Sequence, residues 1–132
     1  MATPVDLARG WMKKGDSDRL NVNRTTQTTG PYDTACFHAQ QAAEKYLKAV
    51  LALAGSPILR SHDLEDIYDQ CLAVAPTLAL DRMELSALTP YPVQLRYDME
   101  FWPDQATAQK ASAMVDRVRA AVLAVLPTSA HP

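Results

Sequence analysis

Apolar side chains recur at helical spacing along most of this chain, and no segment alternates convincingly over the length of a strand. The clearest pattern runs from residue 32 to residue 53. Its apolar positions repeat every three or four residues: Cys36, Ala39, Ala43, Tyr46, Val50 and Leu53. This spacing predicts a helix that packs along its whole length against other helices. Gly55 follows it, and glycine is a favoured residue just past a helix end.

Two further helices are predicted on either side of this one. The first covers residues 4–23, and we expect it to fray after Leu20, because glycine, asparagine and threonine are poor helix formers. The other begins near Asp63 and ends before Pro76. Acidic residues crowd its first turn, where the helix dipole favours negative charge.

A fourth helix begins near Asp81, where Glu84 stands three residues later in the spacing of a capping box. Pro90 breaks or kinks this helix. Thr89 is predicted to cap a short restart that extends to residues 95–97, with Pro90 at the tolerated first position.

The last helix runs from residue 103 or 104 to residue 126 and stops at Pro127. Four substantial helices, one of them kinked, predict an all-α, up-and-down bundle of four or five helices. The length of 132 residues suits one domain, so we expect residues 1–132 to form a single helical bundle domain.

Composition and charge narrow the range of functions. The formal net charge is -2, which argues against nucleic-acid binding through the overall field of the protein. Charge is uneven: residues 60–104 carry three Arg and nine acidic residues, whereas the first 24 residues carry five Lys and Arg against three Asp. A solvated acidic face explains the first of these runs. No export signal or membrane-spanning segment is apparent, so we expect a cytoplasmic protein with reduced cysteines.

The common catalytic motifs are missing. The sequence has no glycine-rich phosphate loop, no HExxH, no GxSxG and no Glu followed three residues later by His. Its three histidines have no carboxylate or cysteine beside them at metal-ligand spacing. We therefore predict no catalytic residue, no metal site and no cofactor.

Four segments carry a resemblance to a known family. They are WMKK at 11–14, YDTACFHAQQAAEKYLKA at 32–49, SHDL at 61–64 and LTPYPVQLRY at 88–97. In this order they resemble the HEPN domain family (higher eukaryotes and prokaryotes nucleotide-binding), in its small stand-alone prokaryotic form. The resemblance implies a helical bundle, frequent dimerisation and association with RNA or nucleotides. It also implies pairing with a minimal nucleotidyltransferase in a toxin–antitoxin-like system.

The sequence departs from the family's ribonucleases at one point. Those members carry an Arg followed after four to six residues by His, which supplies a phosphate-binding cation and a proton-transferring imidazole. Arg96 has no His after it at that distance, and Arg60 reaches His62 too soon. Whether the protein is an enzyme stays open, and the missing signature favours a non-catalytic member.

Six residues are candidates for binding a phosphate, a nucleotide or a partner: His38, Lys45, Lys48, His62, Arg96 and Tyr97. His38 and the two lysines share one side of the second helix, either lining a groove or forming a polar flank against a neighbouring helix. His62 either contacts a ligand or, with Ser61, helps to start the third helix.

Arg96 is the strongest candidate, placed to hold a phosphate or to pair with Asp98 or Glu100. The aromatic residues around it (Tyr91, Tyr97, Phe101 and Trp102) could stack on a base, but core filling or a dimer interface is the preferred interpretation.

Three hypotheses follow. The first is a non-catalytic or degenerate HEPN interaction module, homodimeric and partnered with a minimal nucleotidyltransferase. The second is a ribonuclease in which folding brings Arg96 close to His62 or His38. The third is a nucleotide-binding module that uses Lys45, Lys48 and Arg96.

Overall fold

The computed structural model describes residues 1–58 and 60–132. Six α-helices follow one another: α1 Pro4–Thr26, α2 Asp33–Leu53, α3 Leu64–Val74, α4 Arg82–Leu88, α5 Tyr91–Tyr97 and α6 Gln105–Val125. A short 3-10 helix, Thr128–Ala130, follows α6. No strand occurs in the described ranges. The predicted all-α helical bundle is confirmed, with α4 and α5 as the two halves of the kinked helix.

Helix α2 forms the centre of the bundle and packs against α1, α3, α5 and α6. Its alanines at 39, 42 and 43 are fully buried, and their small side chains let a neighbouring helix approach closely. Tyr46 and Leu47 are also fully buried and fill the space between the helices. The residues at the predicted apolar positions of this helix therefore belong to the core of the protein.

Helix α1 extends three residues past its predicted end, and the fraying expected after Leu20 does not occur. Thr26 is buried, and its hydroxyl donates to the carbonyl of Asn23 at 2.9 Å. The Thr26 carbonyl in turn accepts a hydrogen bond from Gln105 Nε2 at 2.8 Å. Tertiary contacts with the start of α6 thus outweigh the weak helix propensity of the local sequence.

The helix starts agree only in part with expectation. Asp81 caps α4 by accepting from the Met83 amide at 2.8 Å, as predicted. Glu84 does not complete a capping box, because it pairs instead with Arg117 of α6 at 2.6 Å. Thr89 does not cap α5 either. Its hydroxyl donates to the carbonyl of Leu85 at 3.0 Å within α4.

None of the described helices combines the length and the apolar character needed to cross a membrane.

Candidate functional site

The predicted groups on α2 do not line an open groove together; they surround carboxylates buried in the bundle. Asp18 of α1 is only 7% exposed. Its Oδ1 lies 2.8 Å from His38 Nδ1, and its Oδ2 accepts a hydrogen bond from Lys45. His38 and Lys45 therefore form a polar flank against α1, the second of the two roles considered for His38.

A second buried carboxylate belongs to Glu44, which is 3% exposed. Its Oε1 lies 2.8 Å from His62 Nδ1, and its Oε2 accepts from Lys48 Nζ at 3.0 Å. Gln40 Nε2 donates to the carbonyl of His62 at 3.1 Å, so this histidine is held by its backbone and by its ring. The His62 side chain is otherwise 68% exposed.

The electrostatics of Glu44 follow from these contacts. Burial alone would raise the pKa of Glu44, but the hydrogen bonds from His62 and Lys48 outweigh burial and hold its pKa below the ordinary value. The carboxylate is therefore charged at neutral pH and neutralises Lys48. His62 contributes to this cluster and does not cap α3; Ser61 does assist, since its hydroxyl accepts from the Asp63 amide at 3.0 Å.

A third carboxylate, Asp16, joins three helices. It accepts from the Tyr46 hydroxyl at 2.7 Å and from Arg119 Nε at 2.8 Å. Burial opposes its ionisation, yet the contacts with Arg119 and Tyr46 lower the pKa of Asp16 below its ordinary value. Burial and the neighbouring carboxylate raise the pKa of Tyr46, so its hydroxyl stays protonated and donates.

Arg96 lies on the surface at the end of α5. Its Nε donates to the carbonyl of Pro92 at 3.1 Å, and its guanidinium lies 5.9 Å from the centre of the Tyr97 ring. Within the described residues it forms no ion pair with Asp98 or Glu100, the second of the two roles considered for it. No hydrogen bond joins Arg96 to a histidine across the same ranges.

The aromatic residues near Arg96 divide into two groups. The rings of Tyr91 and Phe101 lie with their centroids 5.7 Å apart, and Tyr91 is partly buried against the core. The other two face solvent together with two aliphatic side chains, and we call this set the α5 surface. Its exposed fractions are 57% for Val93, 77% for Tyr97, 86% for Met99 and 66% for Trp102.

A groove lies between α1 and α2, and the sequence pattern did not point to it. We call it the Trp11 groove; it has a volume of about 630 Å³ and is lined by Asp6, Leu7, Gly10, Trp11, Lys14 and Lys45. The Lys48 ammonium lies 5.4 Å from the centre of the Trp11 ring. Across the described residues, no group of three or more His, Cys, Asp or Glu side chains is placed to hold a metal ion.

Sequence reasoning missed the buried carboxylates because most of their partners are distant along the chain: His38 and Lys45 for Asp18, and His62 for Glu44. A usable signal was nevertheless present in α1. Asp18 falls in the stripe that includes Met12, Gly15 and Val22, where apolar or small residues are otherwise buried. An acidic residue at such a position requires partners from neighbouring helices.

The bundle and its contacts define a class of small all-α protein with a central alanine-rich helix. Residues 8–125 match the family model of the HEPN domain, and the chain belongs to this family. Its fold is similar to that in the crystal structure of TT1696 from Thermus thermophilus, with a TM-score of 0.77. The two sequences are 22% identical, and the match covers 90% of this chain and 98% of that one. A comparison with curated proteins found no match.

Proposed function

We propose that this protein is a non-catalytic HEPN interaction module that forms a homodimer and acts with a minimal nucleotidyltransferase in a toxin–antitoxin-like pair. The observation that carries the proposal is the α5 surface beside Arg96. Arg, Tyr and Trp are the residue types that dominate binding energy at protein interfaces. Arg96, Tyr97 and Trp102 are all exposed within one short stretch of chain.

The two candidate lysines are already engaged in ion pairs, and this supports an interaction module over a nucleotide-binding module. Lys45 and Lys48 already pair with the buried carboxylates of Asp18 and Glu44. A phosphate would have to displace these contacts and leave a buried carboxylate without its partner, which is costly. Arg96 stays available, and a single exposed cation is a weak phosphate site.

One observation favours the ribonuclease alternative. The His62 ring is exposed, and its Nδ1 is oriented by the Glu44 carboxylate at 2.8 Å. A carboxylate that orients an imidazole is a recurring arrangement for a general base. This alternative also requires Arg96 to hold the phosphate next to that ring, and no contact between the two residues supports this.

The first experiment measures degradation of single-stranded RNA by the purified protein, with and without magnesium. We expect no cleavage above the protein-free blank. Cleavage by the wild type that is lost in both Arg96→Ala and His62→Ala would overturn the proposal and establish the ribonuclease.

The second experiment measures association. Co-expression with a minimal nucleotidyltransferase should give a complex that co-purifies. Light scattering at micromolar concentration should give twice the 14.5 kDa of one chain for the protein alone. A monomer that does not retain the nucleotidyltransferase would contradict the proposal.

A further inference from the structure

We propose that the α5 surface of one copy packs against the α5 surface of a second copy across a two-fold axis, with Arg96 of each copy paired to Glu100 of the other. The inference rests on the proposed function, because it names the interface through which the homodimer forms. A second copy is chosen as the occupant because this short stretch of chain carries a cation, a carboxylate and the apolar side chains between them.

The members of the α5 surface are neighbours in space as well as in sequence. Val93 and Tyr97 lie one turn apart on α5, so they share a side of this helix. The chain then reverses, and the Phe101 ring returns to 5.7 Å from the Tyr91 ring at the start of α5. The two remaining members of the surface belong to this returning stretch. All four side chains therefore lie within one compact part of the protein surface.

The exposed apolar area of this surface suits the centre of a protein interface. An aromatic side chain carries about 150–250 Å², so Tyr97 and Trp102, at 77% and 66% exposed, supply on the order of 300 Å². Met99 and Val93 extend this area. A standard interface buries about 800 Å² per partner, with an apolar centre and a polar rim. The α5 surface can form that centre, and the charged residues beside it can form the rim.

The Arg96 guanidinium is held in place and keeps its terminal nitrogens free. Its Nε donates to the carbonyl of Pro92 at 3.1 Å, and the group lies 5.9 Å from the centre of the Tyr97 ring. Within the described residues, neither terminal nitrogen takes part in an ion pair or a hydrogen bond. A guanidinium can bind a carboxylate through two parallel N–H bonds. Arg96 therefore presents oriented donors to a carboxylate of another chain.

Glu100 is the acidic residue of this stretch whose carboxylate is uncommitted. Asp98 Oδ1 accepts from the Glu100 amide at 3.0 Å, and Asp104 Oδ1 accepts from the Thr107 amide at 2.8 Å. The Glu100 side chain is exposed and has no ion-pair partner in the part of the chain that the structure describes. Each copy thus offers one free cation and one free carboxylate, and these match each other.

A two-fold axis satisfies both charges at once. In an isologous contact the same patch meets itself, so a pair from Arg96 to Glu100 of the other copy implies the reverse pair as well. The two charges stand on either side of Tyr97 and Met99 along the chain. Antiparallel approach of the two stretches then brings the apolar side chains together between the two ion pairs. The surface is therefore complementary to itself in charge and in apolar character.

Charge reversal at the two positions tests the pairing. Arg96→Glu and Glu100→Arg each place like charges opposite one another in a homodimer, and we expect the dissociation constant of each to rise about tenfold or more. An equimolar mixture of the two variants restores opposite charges in both pairs, so it should associate about as tightly as the wild type. The readout is sedimentation equilibrium.

Folding of the two variants is checked separately. Both side chains are exposed in the single copy, so neither substitution should change the free energy of unfolding at concentrations below the dissociation constant. Circular dichroism measures this control. A change in association can then be assigned to the contact between copies.

The apolar part of the contact has a matched control in the same chain. Met99 of the α5 surface and Met83 at the start of α4 are 86% and 82% exposed. Met99→Ala removes apolar area from the proposed interface, and we expect it to raise the dissociation constant several-fold. Met83→Ala removes a similar area elsewhere and should leave the dissociation constant unchanged.

The outcomes separate the two proposals. A dimer that is unaffected by Arg96→Glu and by Met99→Ala would overturn the inference and leave the homodimer standing. If Arg96→Glu instead keeps the dimer but no longer retains the nucleotidyltransferase, the α5 surface binds that partner, and the inference is wrong. Charge-reversed variants that stay apart when mixed would also overturn the pairing. A monomer under all conditions would overturn both the inference and the predicted homodimer.

Discussion

Gly15 of α1 lies directly against the phenol ring of Tyr46 of α2. A Cβ on Gly15 would be 2.5 Å from Cε1 of this ring and 2.7 Å from Cδ1. The ring cannot move aside easily, because Tyr46 is fully buried and its hydroxyl is bonded to Asp16. Glycine at this position is thus required by close packing of the two helices.

This contact predicts opposite effects for two alanine substitutions in the same helix. Gly15→Ala should destabilise the protein by about 1–3 kcal/mol, because overpacking outweighs the gain in helix propensity. Gly10→Ala meets open space and should stabilise it by about 0.5–1 kcal/mol. Urea unfolding followed by circular dichroism measures both changes. Equal effects of the two substitutions would show that Tyr46 does not constrain Gly15.

A charge at the centre of α2 should be poorly tolerated. Ala43 is enclosed by the neighbouring helices, with 0% of its surface accessible to water. Ala43→Asp should cost about 3–5 kcal/mol, the range for an uncompensated buried charge. Gln41→Asp, on the partly exposed side of the same helix, is the matched control. A loss under about 0.5 kcal/mol at Ala43 would be typical of a surface site and would contradict this placement.

The contacts of Glu44 with His62 and Lys48 should make the free energy of unfolding depend on pH in the acid range. The pKa of Glu44 lies below its ordinary value in the folded protein, so protons bind more strongly to the unfolded chain. Its contribution is therefore complete above the ordinary carboxyl pKa of about 4.3 and is lost as the pH falls through the lower folded value.

Glu44→Gln removes this contribution. We expect it to lower the free energy of unfolding by about 1–3 kcal/mol at pH 7, where hydrogen bonds to a charged group are lost. The difference from wild type should shrink as the pH is lowered towards about 3, below the ordinary carboxyl pKa. Glu100→Gln removes an exposed carboxyl and serves as control. A difference that stays constant across this range would mean that Glu44 does not titrate with folding.

The two cysteine thiols should be unreactive in the native protein. Burial raises the pKa of Cys36 to about 11 and that of Cys71 to about 12, and both side chains are fully inaccessible to water. At about pH 8, near the ordinary thiol pKa, we expect no rapid release of chromophore from Ellman's reagent by the folded protein. Both thiols should react after denaturation. Fast reaction of a thiol in the folded state would show that the core around it opens readily.

The sequence predicted the bundle well because helix spacing is a local signal. The positions from Cys36 to Val50 that repeat along α2 are all buried. Asp63, Asp81 and Asp104 each cap a helix through their own side chains, and such caps involve residues only two or three apart.

The candidate site was harder to predict, since its contacts join distant parts of the chain. His38 was recognised as a polar residue on α2, but its partner Asp18 lies twenty residues earlier. The exposure of Tyr97 and the burial of Tyr91 depend on how α5 packs against α2, which spacing alone does not show. The end of α1 was misjudged for the same reason, because Gln105 of α6 holds Thr26.

The carboxylates of Asp16 and Asp18 also decide how α1 can slide along α2. Ala39, Ala42 and Ala43 of α2 are small and fully buried, so apolar packing around them distinguishes only weakly between neighbouring registers. A shift of one turn would move Asp18 away from His38 and Lys45, and Asp16 away from Tyr46. Asp18 would then be a buried charge without a partner, and Asp16 would lose the Tyr46 hydroxyl. The polar contacts between these helices therefore select a single register for an interface whose apolar part is degenerate.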